Sequence, residues 1–263
     1  MQDIKIYISL AFRSEGNRDF CKEAVYDFNA KDMREYISAL KKEIITSSDG
    51  MDDSIVKVIE FGIGAFNNQL VSDMEDIYSL INKHFNVARN AKVILHATPG
   101  GMDFYKFTIG RHFNNAEIIL EFPSVDNDDL LRQGYNSDPK QLEEVFKLSN
   151  DLQYPSFSCK IDNGKYMTET IAFLSKQKIV SISFTDTLSA AQEEVASSML
   201  IPAGFIYSEN CYTKKDLQLT DTDQLGIGLN AISTFDNISY QNTSDLNLYL
   251  KNSEDFQIIA HKI

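Results

Sequence analysis

Between residues 4 and 200 the hydrophobic period switches back and forth between two and roughly 3.6, and a chain patterned this way must bury a sheet beneath helices. Ile4, Ile6, Ile8 and Leu10 alternate with Lys5, Tyr7 and Ser9, which makes a strand with one apolar face. From Asp32, placed to cap a helix, Met33, Tyr36, Ile37, Leu40 and Ile44 recur at threes and fours. Further strands are predicted over 55–61, 92–97, 116–122, 156–161 and 179–184, with helices over 67–85, 103–113, 139–152, 166–176 and 189–199. Strands that each return through a helix pair in parallel, with right-handed crossovers. The expected fold class is therefore α/β, a partial six-unit (βα)6 barrel spanning residues 1–200.

After residue 201 the rhythm breaks into shorter pieces, 204–210, 225–235 and a helix over 244–250, and we expect residues 201–263 to form a C-terminal extension packed on the barrel. The formal charge of −13 comes without a basic stripe, which argues against a nucleic-acid partner. Three cysteines at wide spacing (Cys21, Cys159, Cys211) suit neither a disulfide framework nor a CxxC metal site, and they point to a reducing cytoplasm. No basic-then-apolar leader opens the chain, and no run approaches the roughly 18 apolar residues of a membrane span.

Few residues advertise chemistry on their own. Gly62 and Gly64 follow a strand directly, where backbone amides can approach an anion, but the third small residue of a dinucleotide fingerprint is replaced by Asn67. The four histidines have no metal-ligand spacing. His96 stands out because it ends a strand just before Ala97-Thr98-Pro99-Gly100-Gly101, where barrels carry their functional residues, although a satisfied loop histidine is the commoner outcome. The acidic group Asp126, Asp128 and Asp129 reads as helix capping, not as a calcium loop. Nucleophile-elbow and phosphate-loop motifs are missing from the sequence.

Taken in order, the local wording resembles the radical-SAM proteins of the oxygen-independent coproporphyrinogen oxidase and heme chaperone branch. Ile6-Tyr7-Ile8-Ser9-Leu10-Ala11-Phe12 is similar to that family's LYIHIPF strand, Phe61-Gly62-Ile63-Gly64-Ala65-Phe66 to FGGGTP, and Leu95-His96-Ala97-Thr98-Pro99-Gly100 to LEANPG. Leu120 to Asn127 resembles LGVQSFND. Asp223-Gln224-Leu225-Gly226-Ile227-Gly228 with Ala231-Ile232-Ser233 resembles DxLGIG…AIS, and Tyr240 to Leu246 resembles (Y/W)QNTxDL.

The departures from the family are as informative. Its CxxxCxxC motif holds a four-iron four-sulfur cluster on three thiolates. Here Arg13, Asn17 and Phe20 occupy those positions, or Tyr26 takes the last one in an alternative alignment, and Cys21 is the one thiol of that loop. The family carboxylate of LEANPG is His96, the Gln of LGVQSF is Pro123, and an Asp of a later strand is Lys160, while Gly164 is kept. The stretch from Lys214 to Leu219 lacks the histidine and tryptophan of the chaperone branch. The resemblance thus implies a degenerate member without an iron-sulfur cluster, acting in binding or protein interaction. It leaves a vestigial S-adenosylmethionine site at Gly62, Gly64 and Gly164. Two alternatives stay open: a protein handling heme or another tetrapyrrole, and a non-radical enzyme using His96, Lys160, Asp186 and Tyr207. Without the family's C-terminal domain, apolar area on the barrel is expected to dock a second copy of the chain or a basic protein partner, with residues 201–263 contributing.

Overall fold

The structure is a computed structural model that describes residues 1–10, 12–13, 26–27, 29–62, 71–113, 115–132, 139–208, 210–214 and 223–263. The alternating segments form the strands that their period demands. β1 (Gln2–Ile8) is followed by the short β2 (Phe12–Arg13) and β3 (Tyr26–Asp27), which pair with each other, and by α1 (Ala30–Ser47). Then come β4 (Ser54–Phe61), α2 (Val71–His84), β5 (Val87–Ala97), α3 (Phe104–Gly110) and β6 (Ala116–Glu121). Helices α4 (Asn127–Arg132) and α5 (Pro139–Asp151) lead to β7 (Phe157–Ile161), α6 (Met167–Leu174), β8 (Ser181–Phe184) and α7 (Ala190–Leu200).

Several helix starts are chemically explicit. The Asp103 side chain accepts from the Lys106 amide at 2.8 Å, and Ser189 and Gln192 form a reciprocal capping box. Asp126 accepts from the Asp129 amide at 2.9 Å, as expected for the acidic group there. The cap of α1 differs from expectation. Asn29, not Asp32, accepts from the first free amides, because the helix begins a turn earlier, at Ala30.

The six predicted strands, β1 and β4 to β8, pair in parallel in chain order. The strands beyond residue 200 correct the expected six-unit barrel. β9 (Ile206–Ser208), β10 (Cys211–Thr213), β11 (Asp223–Ile227), β12 (Ile232–Phe235), β13 (Ile238–Asn242) and β14 (Ala260–Lys262) enter the same sheet, which has twelve strands in the order β14-β13-β12-β11-β1-β4-β5-β6-β7-β8-β10-β9. Residues 201–263 thus extend the sheet at both sides, while Leu246, Tyr249 and Ile259 of the same segment join the core. β11 lies parallel along β1, while β10 runs antiparallel to β8, so both edges of the six-stranded block are paired. These late strands are three to five residues long, too short for their alternation to reveal a sheet. Helices α8 (Leu246–Asn252) and α9 (Phe256–Ile259) connect β13 to β14.

One face of the sheet carries the core. Ile4, Ile6, Ile8, Ile59, Phe61, Leu95, Ile118, Leu120, Cys159, Ile161 and Ile182 are buried with α1 residues Met33, Tyr36, Ile37, Leu40 and Ile44, the stripe that the helical spacing predicts. The opposite face takes the alternate residues, and these are largely polar. Among the described residues, no helix is long and apolar enough to cross a membrane.

Candidate functional site

The polar face bears a row of charges contributed by five neighbouring strands. Lys5 Nζ lies 3.1 Å from Glu60 Oε2, Glu60 Oε1 lies 3.0 Å from His96 Nε2, His96 Nδ1 contacts Glu121 Oε1, and Glu121 Oε2 is 3.3 Å from Lys160 Nζ. Strand register explains the row. Lys5 pairs with Val58, Glu60 with Ile94 and His96 with Ile119, so each successive charge sits two residues beyond its neighbour's partner, on the same face. Glu121 and Lys160 are direct register partners. Glu60, His96, Glu121 and Lys160 all lie at or one residue before the C-terminal ends of their strands, the end from which loops of parallel α/β folds build sites.

Electrostatics fixes the protonation of this row. Burial pushes the His96 imidazole down, but the opposing pull of Glu121 and Glu60 prevails and raises it to about 10. Burial likewise pushes Glu60 up, and its hydrogen bond and charge interaction with His96, joined by Lys5, bring it down to about 2. Glu121 is lowered against its own burial by His96 and Lys160. At neutral pH the row therefore reads plus, minus, plus, minus, plus, with one net positive charge. His96 and Glu121 are nearly enclosed and Glu60 is partly so, whereas the Lys5 and Lys160 side chains keep 29% and 31% of their exposure, so the cationic ends are the most solvated part of the row. Next to the Lys5 end a cleft of about 460 Å³ opens, bordered by Tyr7, Ser9, Glu60, Gln224 and Gln241. That volume falls within the usual range for small-molecule sites.

Of the candidates singled out in the sequence, His96 and Lys160 are brought together through Glu121. The other two sit elsewhere. Asp186 is exposed after β8, its carbonyl accepting from Asn210, and Tyr207 lies on the edge strand β9 with its ring 4.8 Å from that of Tyr212. Gly62 is needed for packing, since a Cβ there would lie 2.8 Å from the Tyr7 hydroxyl; Gly164 sits in an open loop where a Cβ would meet nothing closer than 4.0 Å. Gly64, Asn17, Phe20, Cys21 and residues 215–219 lie outside the described residues. Sequence reading missed Lys5, Glu60 and Glu121. The available signal was a charge at an alternate position of an otherwise apolar strand.

A second polar centre lies on the core side. The Glu43 carboxylate of α1 accepts from Asn242 Nδ2 at 2.7 Å, from the Gly228 amide at 2.9 Å and from the Tyr249 hydroxyl. Gly228 has φ +102° and lies so close to Tyr36 and Ser9 that a Cβ would approach within 2.4 Å of the Tyr36 hydroxyl. A Cβ at Gly226 would meet the Ile232 carbonyl oxygen at 2.4 Å. The motif residues Gly226, Gly228 and Asn242 thus shape the junction of α1 with the late strands. Tyr26, the alternative cluster position, donates to the Ser244 carbonyl at 2.8 Å and accepts from the Leu246 amide at 2.9 Å, holding the start of α8.

A four-iron cluster needs three converging thiolates. Cys159 and Cys211 are buried in β7 and β10, and burial raises Cys159 well above the ordinary thiol range and Cys211 to about 11. Two of the three cysteines are thus held as thiols within the sheet. Among the described residues, no group of three or more His, Cys, Asp or Glu side chains is arranged to hold a metal ion.

No protein-family model matches the chain, and no curated protein matches it. Among solved structures, coproporphyrinogen III oxidase from Escherichia coli, described as a radical SAM enzyme, superposes with a TM-score of 0.78 at 15% identity, covering 100% of this chain and 72% of that one. The likeness shows that the two chains share an α/β fold with a mostly parallel sheet.

Proposed function

We propose that this chain is a binding protein on a radical-SAM-like scaffold, without iron-sulfur chemistry, that takes a carboxylate-bearing small molecule at the cationic ends of the charge row. The observation that carries the reading is the enclosure of protonated His96 between Glu60 and Glu121. The three inner charges sum to −1 and the two lysines to +2, so the row carries one excess positive charge, and its Lys5 end borders an open cleft together with Glu60. Tetrapyrroles, which carry several carboxylates, are the ligand class that the sequence resemblance implies. The cysteine placement supports the loss of radical chemistry, and with it weak or undetectable binding of S-adenosylmethionine. Titration with coproporphyrin and heme, followed by absorbance, is expected to saturate in the micromolar range, and Lys5→Met to weaken binding about tenfold, or about 1.4 kcal/mol. Stoichiometric iron and sulfide after anaerobic reconstitution, or S-adenosylmethionine binding at or below about 1 μM, would overturn the reading.

A second reading, docking of a protein partner or a second copy, is favoured by Phe104 and Tyr105, which begin α3 with 61% and 64% exposure. Light scattering over a dilution series of the native chain and a Phe104→Ser/Tyr105→Ser double variant tests self-association. A monomer at every concentration removes the second-copy form.

A further inference from the structure

The junction between α1 and the late strands contains a cavity of about 260 Å³ that faces away from the charge row. The sheet's own geometry separates the two. Gln224 borders the cleft on the polar face, while the next residue, Leu225, borders this cavity on the core side. Met51, Leu225, Phe235 and Ile259 supply apolar walls, and Glu43 lies at the surface of the same space. An apolar cavity of about 150 Å³ already accommodates benzene, so this one has room for an aromatic or branched aliphatic body with a polar head.

Glu43 decides what that head is. An ionised carboxylate offers about four acceptor positions. Three are filled: Oε2 takes the Gly228 amide and the Tyr249 hydroxyl, and Oε1 takes Asn242. One acceptor position on Oε1 is left. All three donors are neutral, and burial, the strongest influence on this carboxyl, holds it up at about 7 against those hydrogen bonds. Among the described residues, no lysine or arginine lines the space; Lys42, next to Glu43 in the chain, is engaged 2.8 Å from Glu254, and Asp49 adds a further carboxylate. A neutral apolar guest would leave the remaining acceptor unmet. A divalent cation would require six or more oxygen ligands for calcium, or several retained waters for magnesium, against walls that are chiefly hydrocarbon. An anion would be repelled by Glu43 and Asp49. An ammonium group on an apolar body meets each condition, and the rings of Phe235 and Tyr240 border the space in which it would lie.

We propose that this cavity is a binding site for a small apolar amine, whose ammonium group is anchored on Glu43 and whose body packs against Met51, Leu225, Phe235 and Ile259. The site is independent of the ligand proposed for the charge row. The probes are benzylammonium, its neutral isostere benzyl alcohol, and benzoate, titrated into the full chain with calorimetry and amide chemical shifts as readouts. Benzylammonium is expected to bind at least about tenfold tighter than benzyl alcohol, with shifts centred on residues 43–51 and 225–235, and benzoate is expected not to bind. Met51→Trp, which fills the cavity without touching the Glu43 hydrogen bonds, should abolish binding while the melting transition is kept. Glu43→Gln, if it retains a cooperative melt, should reduce the amine to the affinity of the alcohol. Equal affinity for amine and alcohol, binding of the amine that survives Met51→Trp, or no saturation by about 10 mM benzylammonium would each overturn the proposal.

Discussion

Two buried carboxylates, Glu60 and Glu43, lie on opposite sides of one sheet and respond to burial in opposite ways. Glu60 faces a protonated imidazole and an ammonium and falls to about 2; Glu43 faces an amide, a backbone N–H and a phenol and rises to about 7. Both are hydrogen-bonded, and both have lost most of their contact with water, Glu43 nearly all of it. The difference is that full opposite charges outweigh desolvation, whereas three dipoles do not. The polar face is thus built to keep charge, and the core-side junction holds a carboxyl that gives up its proton only near pH 7 unless a cation joins it.

Removing a partner from the charge row tests this contrast most severely. Glu121→Ala removes one of the two carboxylates that hold His96 and the carboxylate 3.3 Å from Lys160, and urea denaturation is expected to show a loss of about 3–5 kcal/mol. A loss below about 1 kcal/mol would mean that solvent screens the row and that the contrast is false. Gly228→Ala should come next. It places a Cβ in a left-handed backbone position against Tyr36 and Ser9 and should cost about 1–3 kcal/mol, read in the same experiment.

Glu43→Gln is expected to cost about 1–2 kcal/mol at pH 8, because an amide cannot accept all three donors with equal geometry. Its pH dependence sharpens the comparison further. A carboxyl raised in the folded state binds more protons folded than unfolded, so the native chain should lose stability relative to Glu43→Gln as pH rises from about 4.5 to 7. His96 acts in a different window. Raised to about 10 from 6.5, it contributes stability in full below about 6.5 and loses it as pH climbs towards 10. The lowered Glu60 contributes above its ordinary range and loses its effect as pH falls towards 2. Melting temperatures of the native chain, Glu43→Gln, His96→Gln and Glu60→Gln between about pH 2 and 10 separate the three. The smallest effect is reserved for Lys5→Met. Its ammonium is partly solvated, so stability should change by less than about 1 kcal/mol even as ligand affinity at the cleft falls.

The alternation of Ile4, Ile6 and Ile8, the helical stripe from Met33 to Ile44, and the capping role of the acidic group at Asp126 were all legible in the chain, because period and capping act over a few neighbouring residues. His96 and Lys160 were legible as unusual positions, but not as one site. Glu43 was also within reach, since it falls three residues after Leu40 on an apolar stripe where a carboxylate needs partners.

What the sequence could not determine is everything that depends on which strands become neighbours. Lys5, Glu60, His96, Glu121 and Lys160 are far apart along the chain, and each is by itself an ordinary polar residue at an alternate strand position. Parallel pairing and register set the side chains in one row, and pairing also drew β11 to the edge of β1 and turned an expected extension into half the strands of the sheet. Local periodicity is a property of neighbouring residues, so the sequence alone settles it. The charge state of His96 and of Glu43 depends on groups brought together from distant segments, and only tertiary structure decides whether those groups carry charge.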